Sequence, residues 1–224
     1  NIPATSVNLK GNGTITHFAI DSLNLTALEG KAQFSGLVDW RDGVEWQSKL
    51  HLNNINTKSL APDWAAVLSG DLESNGYAAR GKESGEWAVD VPKMDIKGTL
   101  SQRTLQLQGQ LKSDHQTLLN VPNATLIYGE NRIAMQGILG DNSNFTANLN
   151  APNLQGLVPR LKAGIKGDVT LSGKVSEPNL DLDLTANNVA YDDLNLQHLT
   201  VKGKVTTEKT IQGDVALTLQ KFSY

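Results

Sequence analysis

The stretch "PNLDLDLTANN", Pro178 to Asn188, decides the fold class. Leu180, Leu182 and Leu184 alternate there with Asp181, Asp183 and Thr185. A strand turns successive side chains to opposite faces, so the leucines share one face and the polar residues the other. The same alternation recurs along the chain. Val7 and Leu9 alternate with polar residues in "VNLKG". Val44, Trp46, Leu50 and Leu52 share a parity, with Ser48 among them. So do Trp87, Val89 and Val91, and then Leu105, Leu107, Gly109 and Leu111. Phe145, Ala147 and Leu149 follow, then Val169, Leu171, Gly173 and Val175, and last Val215, Leu217 and Leu219. Each run predicts a half-buried strand.

Asn, Asp and Gly clusters mark tight reversals between the runs, as at Asp42-Gly43 and Gly140-Asp141-Asn142. Parallel crossovers would need long helical segments, which are almost absent, so the pattern reads as an antiparallel meander. Two segments break it, Ser59 to Gly70 and Leu154 to Gly164. Each has Pro near its start and Gly near its end, which suits a short helix or helical turn.

These segments expose an internal repeat. Shifted by 97 positions, Leu52–Gly76 lies on Leu149–Gly173 without a gap. Leu52, Asn53, Asn56, Leu60, Pro62, Ala66, Gly70, Asp71 and Gly76 meet identical residues. "LQLQGQL" (Leu105–Leu111) resembles "LTVKGKV" (Leu199–Val205) at a slightly smaller shift. The expected organisation is one continuous unit over 1–224, with a repeat at 52–148 and a partial second copy at 149–224. The unit exceeds the usual solenoid period.

Composition narrows the function. The net charge is −3, and the 20 basic residues are spread out, which argues against nucleic acid. No cysteine is present, so disulfide scaffolds and thiolate metal sites are excluded. No apolar run approaches the roughly 20 residues of a membrane helix. The chain begins at Asn1 and ends at Tyr224 inside an expected strand, and reads as a piece of a longer protein.

Chemistry-bearing motifs are sparse. His17, His51, His115 and His198 lack metal-ligand spacing, and His51 falls on the polar parity. "GDVTLSGKV" fails as a phosphate loop. Five residues separate Gly167 from Gly173, and Val175 stands where Ser or Thr should follow Lys174. Asp181 with Asp183, and Asp192 with Asp193, read as solvated strand or turn carboxylates, because no loop of dense oxygen ligands surrounds them. Trp40, Trp46, Trp64 and Trp87 are scattered, and Trp46 and Trp87 sit on apolar parities. The strands read as mostly shorter than the 9–11 residues of a membrane barrel. No catalytic residue, cofactor or metal is expected.

A sheet with one apolar face must bury that face. Without long helices, it packs on a second sheet, closes into a barrel, or curls into an open-sided trough.

Leu149–Gly203 closely resembles the repeats of the TamB family, within the AsmA-like group. The marks are "APNL", "LSGKV", "PNL", "ANNV" and the closing "LNLQHL". "LNNINTKSLAP", "LSGDLESNG" and "NATLIYGENRIAMQGILGD" repeat them in the first half. The resemblance implies an all-β fold, a long curled antiparallel sheet (a β-taco or trough) with an apolar interior and one or two short helical turns. It implies a periplasmic segment of a protein anchored in the inner membrane. Its interior would shield and conduct phospholipid acyl chains between inner and outer membranes, in support of envelope assembly. It also implies association with the outer-membrane barrel protein TamA, through a region outside this segment. A chaperone-like protein pairing with client β-strands is the alternative.

The expected lining is Leu50, Leu52, Val89, Val91, Leu105, Leu107, Phe145, Leu149, Val169, Leu171, Leu180, Leu182, Leu184, Val215, Leu217 and Leu219. Each acyl CH₂ taken from water onto such a lining gains about 0.8 kcal/mol. Some twenty strands at about 4.8 Å would make a groove on the order of 90 Å long.

Overall fold

Alternation along each run produces long strands joined by short reversals. The computed structural model describes residues 5–62, 65–79, 85–155, 161–192, 194–207 and 212–223. The chain forms two units, Asn1–His115 and Gln116–Tyr224. The first contains β1 (Ser6–Gly13), β2 (His17–Ala27), β3 (Gly30–Asp39), β4 (Gly43–Asn56), β5 (Ala66–Ala79), β6 (Trp87–Leu100) and β7 (Arg103–Asp114). The second contains β8 (Leu119–Tyr128), β9 (Asn131–Leu139), β10 (Ser143–Ala151), β11 (Leu161–Lys174), β12 (Glu177–Tyr191), β13 (Leu194–Thr206) and β14 (Gln212–Ser223). Within each unit strand order equals chain order, and the neighbouring strands pair antiparallel. At about 4.8 Å per strand, seven strands extend about 29 Å.

Two expectations need correction. Among the described residues there are fourteen strands rather than some twenty, and they run from 8 to 15 residues. Most therefore reach the length reserved for membrane barrels. The physical reason is that strands continue through Gly, Asn and Ser on the apolar parity, where reading by alternation stops too early. The helical segments are also mostly strand. Ala66 to Gly70 begin β5, and Leu161 to Gly164 begin β11. What remains among the described residues is a turn at Lys58–Leu60 and a single 3₁₀ position at Pro62. Ala65-Ala66-Val67-Leu68 was too short to nucleate a helix against a neighbouring strand offering hydrogen bonds. Trp64 and residues 156–160 lie outside the described residues.

Two reversals escaped sequence reading because they lack Gly and Asn. Leu28 and Glu29 have φ of 54° and 61°, and Ser101 and Gln102 have 48° and 67°. Such two-residue turns match the twist of the flanking strands. Their left-handed backbone is held by the chain beside them. Asn56 donates its backbone N–H to the Leu28 carbonyl at 2.8 Å and its Nδ2 to Glu29 Oε2 at 2.7 Å. The Ser101 N–H donates to the Ala65 carbonyl at 2.8 Å.

The two stretches that align at a shift of 97 share local geometry. Leu52 pairs with Gly70, and Leu149 with Gly167. Those glycines have φ of 142° and 140°. Asp71 Oδ1 meets His51 Nδ1 at 2.8 Å, and Asp168 Oδ1 accepts from Asn148 Nδ2 at 2.8 Å. Thr57 N–H donates to the Ala66 carbonyl and Leu154 N–H to the Ala163 carbonyl, both at 2.8 Å. Asn56 Oδ1 accepts from Lys58 N–H and Asn153 Oδ1 from Gln155 N–H, both at 3.0 Å.

Candidate functional site

The registers convert alternation into rows running across the strands, because directly paired residues of antiparallel strands share a face. In the second unit one row reads Val121, Gly137, Phe145, Leu171, Leu180, Val205, Gly213. The next reads Ala124, Met135, Ala147, Val169, Leu182, Gly203, Val215. The third is Leu126, Ile133, Leu149, Gly167, Leu184, Val201, Leu217. A fourth runs Ala151, Ile165, Ala186, Leu199, Leu219. Rows are about 6.8 Å apart along a strand, so the outer two lie about 20 Å apart.

The reverse face is polar. Asn148, Asp168, Asp183 and Lys202 form one row, and Thr146, Thr170, Asp181 and Lys204 another. Lys202 Nζ lies 2.9 Å from Asp183 Oδ2, and Lys204 Nζ 3.6 Å from Asp181 Oδ2. The expected solvated carboxylates are thus strand-face ion pairs. Asp192 sits in an exposed turn, and Asp193 lies outside the described residues.

In the first unit, Val7, Leu25, Ala32, Leu52, Gly70, Ile96 and Leu107 form one row. Leu9, Leu23, Phe34, Leu50, Leu72, Met94 and Gly109 form the next. Val89 belongs to a row with Gly13, Phe18, Val38, Trp46 and Gly76. Leu105 pairs with Gly98, and Val91 with Leu111, on the same face. Between the Leu50 and Trp46 rows lies a small and polar row, Gly11, Ile20, Gly36, Ser48, Ser74. Trp46 Nε1 donates to Ser74 Oγ at 3.2 Å, and Ser48 Oγ to the Ser74 carbonyl at 3.2 Å.

All sixteen expected lining residues therefore fall on the apolar face of their own unit. Leu23, Leu25, Phe34, Leu72, Met94 and Ile96 of the first unit were missed, as were Leu126, Ile133, Met135, Leu199 and Val201 of the second. Bulges hid Leu23, Leu25, Met94 and Ile96: the shifts at Ile20/Leu23 and Val91/Met94 change the parity within β2 and β6. Phe34 and Leu72 keep the parity of their own strands.

Little covers this face. Thirteen of the expected lining residues, Leu182 among them, are half-buried, while Leu217 is 62 % exposed and Leu219 57 %. Among the described residues no large side chain is fully buried. The buried apolar residues are chiefly alanines, at positions 66, 124, 151, 163 and 186, joined by Val121, Tyr128 and Leu196. A closed β-sandwich would instead seal its Leu and Val side chains.

The polar face of the first unit carries local electrostatics without a catalytic arrangement. Hydrogen bonds from His51 and then Lys93 hold the Asp71 carboxyl below its ordinary value. The Arg41 backbone N–H, chiefly, does the same for Asp39. His51 accordingly lies on the polar face, as its parity predicts. Among the described residues no cluster of His, Asp and Glu is arranged to hold a metal, and no helix is long and apolar enough to cross a membrane.

The family model "TamB, N-terminal domain" matches residues 1–224. The translocation and assembly module subunit TamB of Haemophilus influenzae is 35 % identical over 223 residues. An uncharacterised protein of Buchnera aphidicola subsp. Acyrthosiphon pisum is 17 % identical over 224 residues. Both alignments cover this chain fully, but the chain spans only 17 % and 21 % of those proteins. No solved structure matches the chain. With its whole length matched and a relative at 35 % identity, the chain belongs to the TamB family.

Proposed function

We propose that the apolar face takes up phospholipid acyl chains, as a segment of a groove crossing the periplasm between inner and outer membranes. The carrying observation is the row structure around Leu182: half-buried leucines on one face, charged pairs on the other and, among the described residues, no large side chain fully buried. Aliphatic rows lack fixed polar partners, so they favour flexible chains over a ligand needing oriented hydrogen bonds. The segment belongs to a protein anchored in the inner membrane, acts in the translocation and assembly module, and works with TamA through residues beyond it. It is a conduit or shield for lipid and not an enzyme. The stretches 52–148 and 149–224 are copies of one strand–corner–strand repeat, supported by the matched pairings of Gly70 and Gly167.

The test is lipid extraction from the full-length protein, purified from membranes, followed by mass spectrometry. Leu182→Arg should lower co-purifying phospholipid and weaken the envelope barrier, while Asp183→Arg on the reverse face should leave both unchanged. Equal lipid in both variants would contradict the reading.

A second reading, a chaperone-like protein that pairs with client β-strands, predicts peptide crosslinks along a strand and indifference to Leu182→Arg.

A further inference from the structure

We infer that Gly76 holds the Trp46 ring flush with the sheet and so keeps the acyl path of the first unit open. This rests on the lipid reading above. Side chains of a strand stand roughly perpendicular to the sheet, and an upright indole would be the tallest obstacle on a face of smaller side chains. Trp46 pairs directly with Gly76. A Cβ added at Gly76 would lie 2.5 Å from Cη2 and Cζ2 of the Trp46 ring, so the ring occupies the space that glycine leaves empty. Its Nε1 hydrogen bond to Ser74 Oγ, at 3.2 Å, fixes it there.

Two further rings on this face lie against glycines. Phe18 pairs with Gly13, and a Cβ there would lie 2.9 Å from Phe18 Cδ2. A Cβ at Gly36 would lie 3.3 Å from Phe34 Cζ. Cross-strand burial of a glycine by a ring stabilises a sheet wherever it occurs. On a face that carries moving chains it also removes an obstruction. The pair 97 positions on, Ser143 and Gly173 in the second unit, holds no ring. The clearance device is therefore local to the first unit.

The ligand class follows: a flexible, unbranched acyl chain sliding over a low aromatic floor, with no aromatic cage to retain it.

The experiment uses the full-length protein in cells, with a photo-crosslinking residue at Val38 or at Val89. These positions flank the Trp46–Gly76 pair in the same row. The unaltered protein should yield phospholipid adducts at both. In Gly76→Val the yield at one of the two should fall several-fold, and adding Trp46→Leu should restore it, since the raised ring is the obstacle. A Cβ at Gly76 also crowds the Ala88 carbonyl. If Gly76→Val fails to accumulate, Ser74→Ala is read instead. It releases the ring without that clash and should give a smaller one-sided loss. Adducts that remain equal in a folded Gly76→Val, or in Ser74→Ala where that is read, overturn this inference alone. A loss that Trp46→Leu does not restore overturns it too. Adducts absent at both positions, and at Leu182, in the unaltered protein overturn the lipid reading and this inference with it.

Discussion

The two units follow the same plan with different interiors. In the second, three full apolar rows and a fourth shorter one lie side by side, and the described ladders shift register only at Val121/Ala124 and Lys162/Gly164. In the first, the described ladders shift five times, and Gly36, Ser48 and Ser74 run a small and polar row through the apolar face. Burial differs as well. Ala66 is the one buried apolar residue of the first unit among those described, whereas the second adds Val121, Tyr128 and Leu196. Bulges bend and twist a strand, so the first unit departs from a regular ladder where the second keeps it. The pairing positions of Gly70 and Gly167 are nevertheless the same.

The sharpest way to break that comparison is at those two glycines. A Cβ at Gly70 would fall on the Asp95 carbonyl oxygen, and one at Gly167 on the Asp183 carbonyl oxygen. Both also sit at φ values that side chains rarely adopt. Gly70→Val and Gly167→Val should each lower local stability by about 3 kcal/mol or more, to a similar extent, read by hydrogen exchange of the flanking strands. A large effect at one position alone would mean that the shared register is accidental.

The corners come next. Asn131 is 2 % exposed, and its side chain donates to the Tyr128 and Asn153 carbonyls and accepts from the Asn153 N–H. Asn131→Ala should cost about 1–3 kcal/mol, because it removes three hydrogen bonds made by a buried side chain. Asn56 makes its side-chain contacts in water, with Glu29 Oε2 and the Lys58 N–H. Asn56→Ala should cost about 0.5–1 kcal/mol. Equal losses would show that the two corners are equally buried.

Sequence legibility follows the same divide. Leu180, Leu182 and Leu184 announced their row, because β12 keeps its parity from Asn179 to Asn187. Leu23 and Leu25 did not, because the shift between Ile20 and Leu23 moves the apolar face from even to odd numbers within β2. The turn at Leu28-Glu29 was invisible for another reason: its left-handed backbone is held by Asn56, two strands away in sequence. Alternation also could not distinguish a sealed core from an open face, since both need the same residues. Exposure decided that, and only the fold supplies it.

A finer test concerns the open face. Leu182→Ala should cost about 1–2 kcal/mol, less than the 2–5 kcal/mol of a leucine in a closed core, because the site is already half open. Ser48→Val in the first unit should be near neutral, since it removes one exchangeable hydrogen bond and extends an apolar row. A loss at Leu182 as large as that in a closed core would favour a sealed interior.

The smallest expected effect is on the polar face. The folded-state pKa of Asp71 lies below its ordinary value of 3.8 because of His51 and Lys93. Its contribution is therefore fully present above that value and lost as pH falls through the lowered folded value. Asp71→Asn should lower stability slightly near pH 7 and flatten the acid limb by the same small amount, checked by unfolding at several pH values beside carboxyl NMR titration of the unaltered protein.

The most direct measurement is photo-crosslinking at Leu182 and at Asp183 in the full-length protein in cells, scored for phospholipid on the purified protein. Adjacent residues on opposite faces share every property except the face they present. The account predicts adducts at Leu182 and none at Asp183. A folded protein without adducts at either position would contradict it.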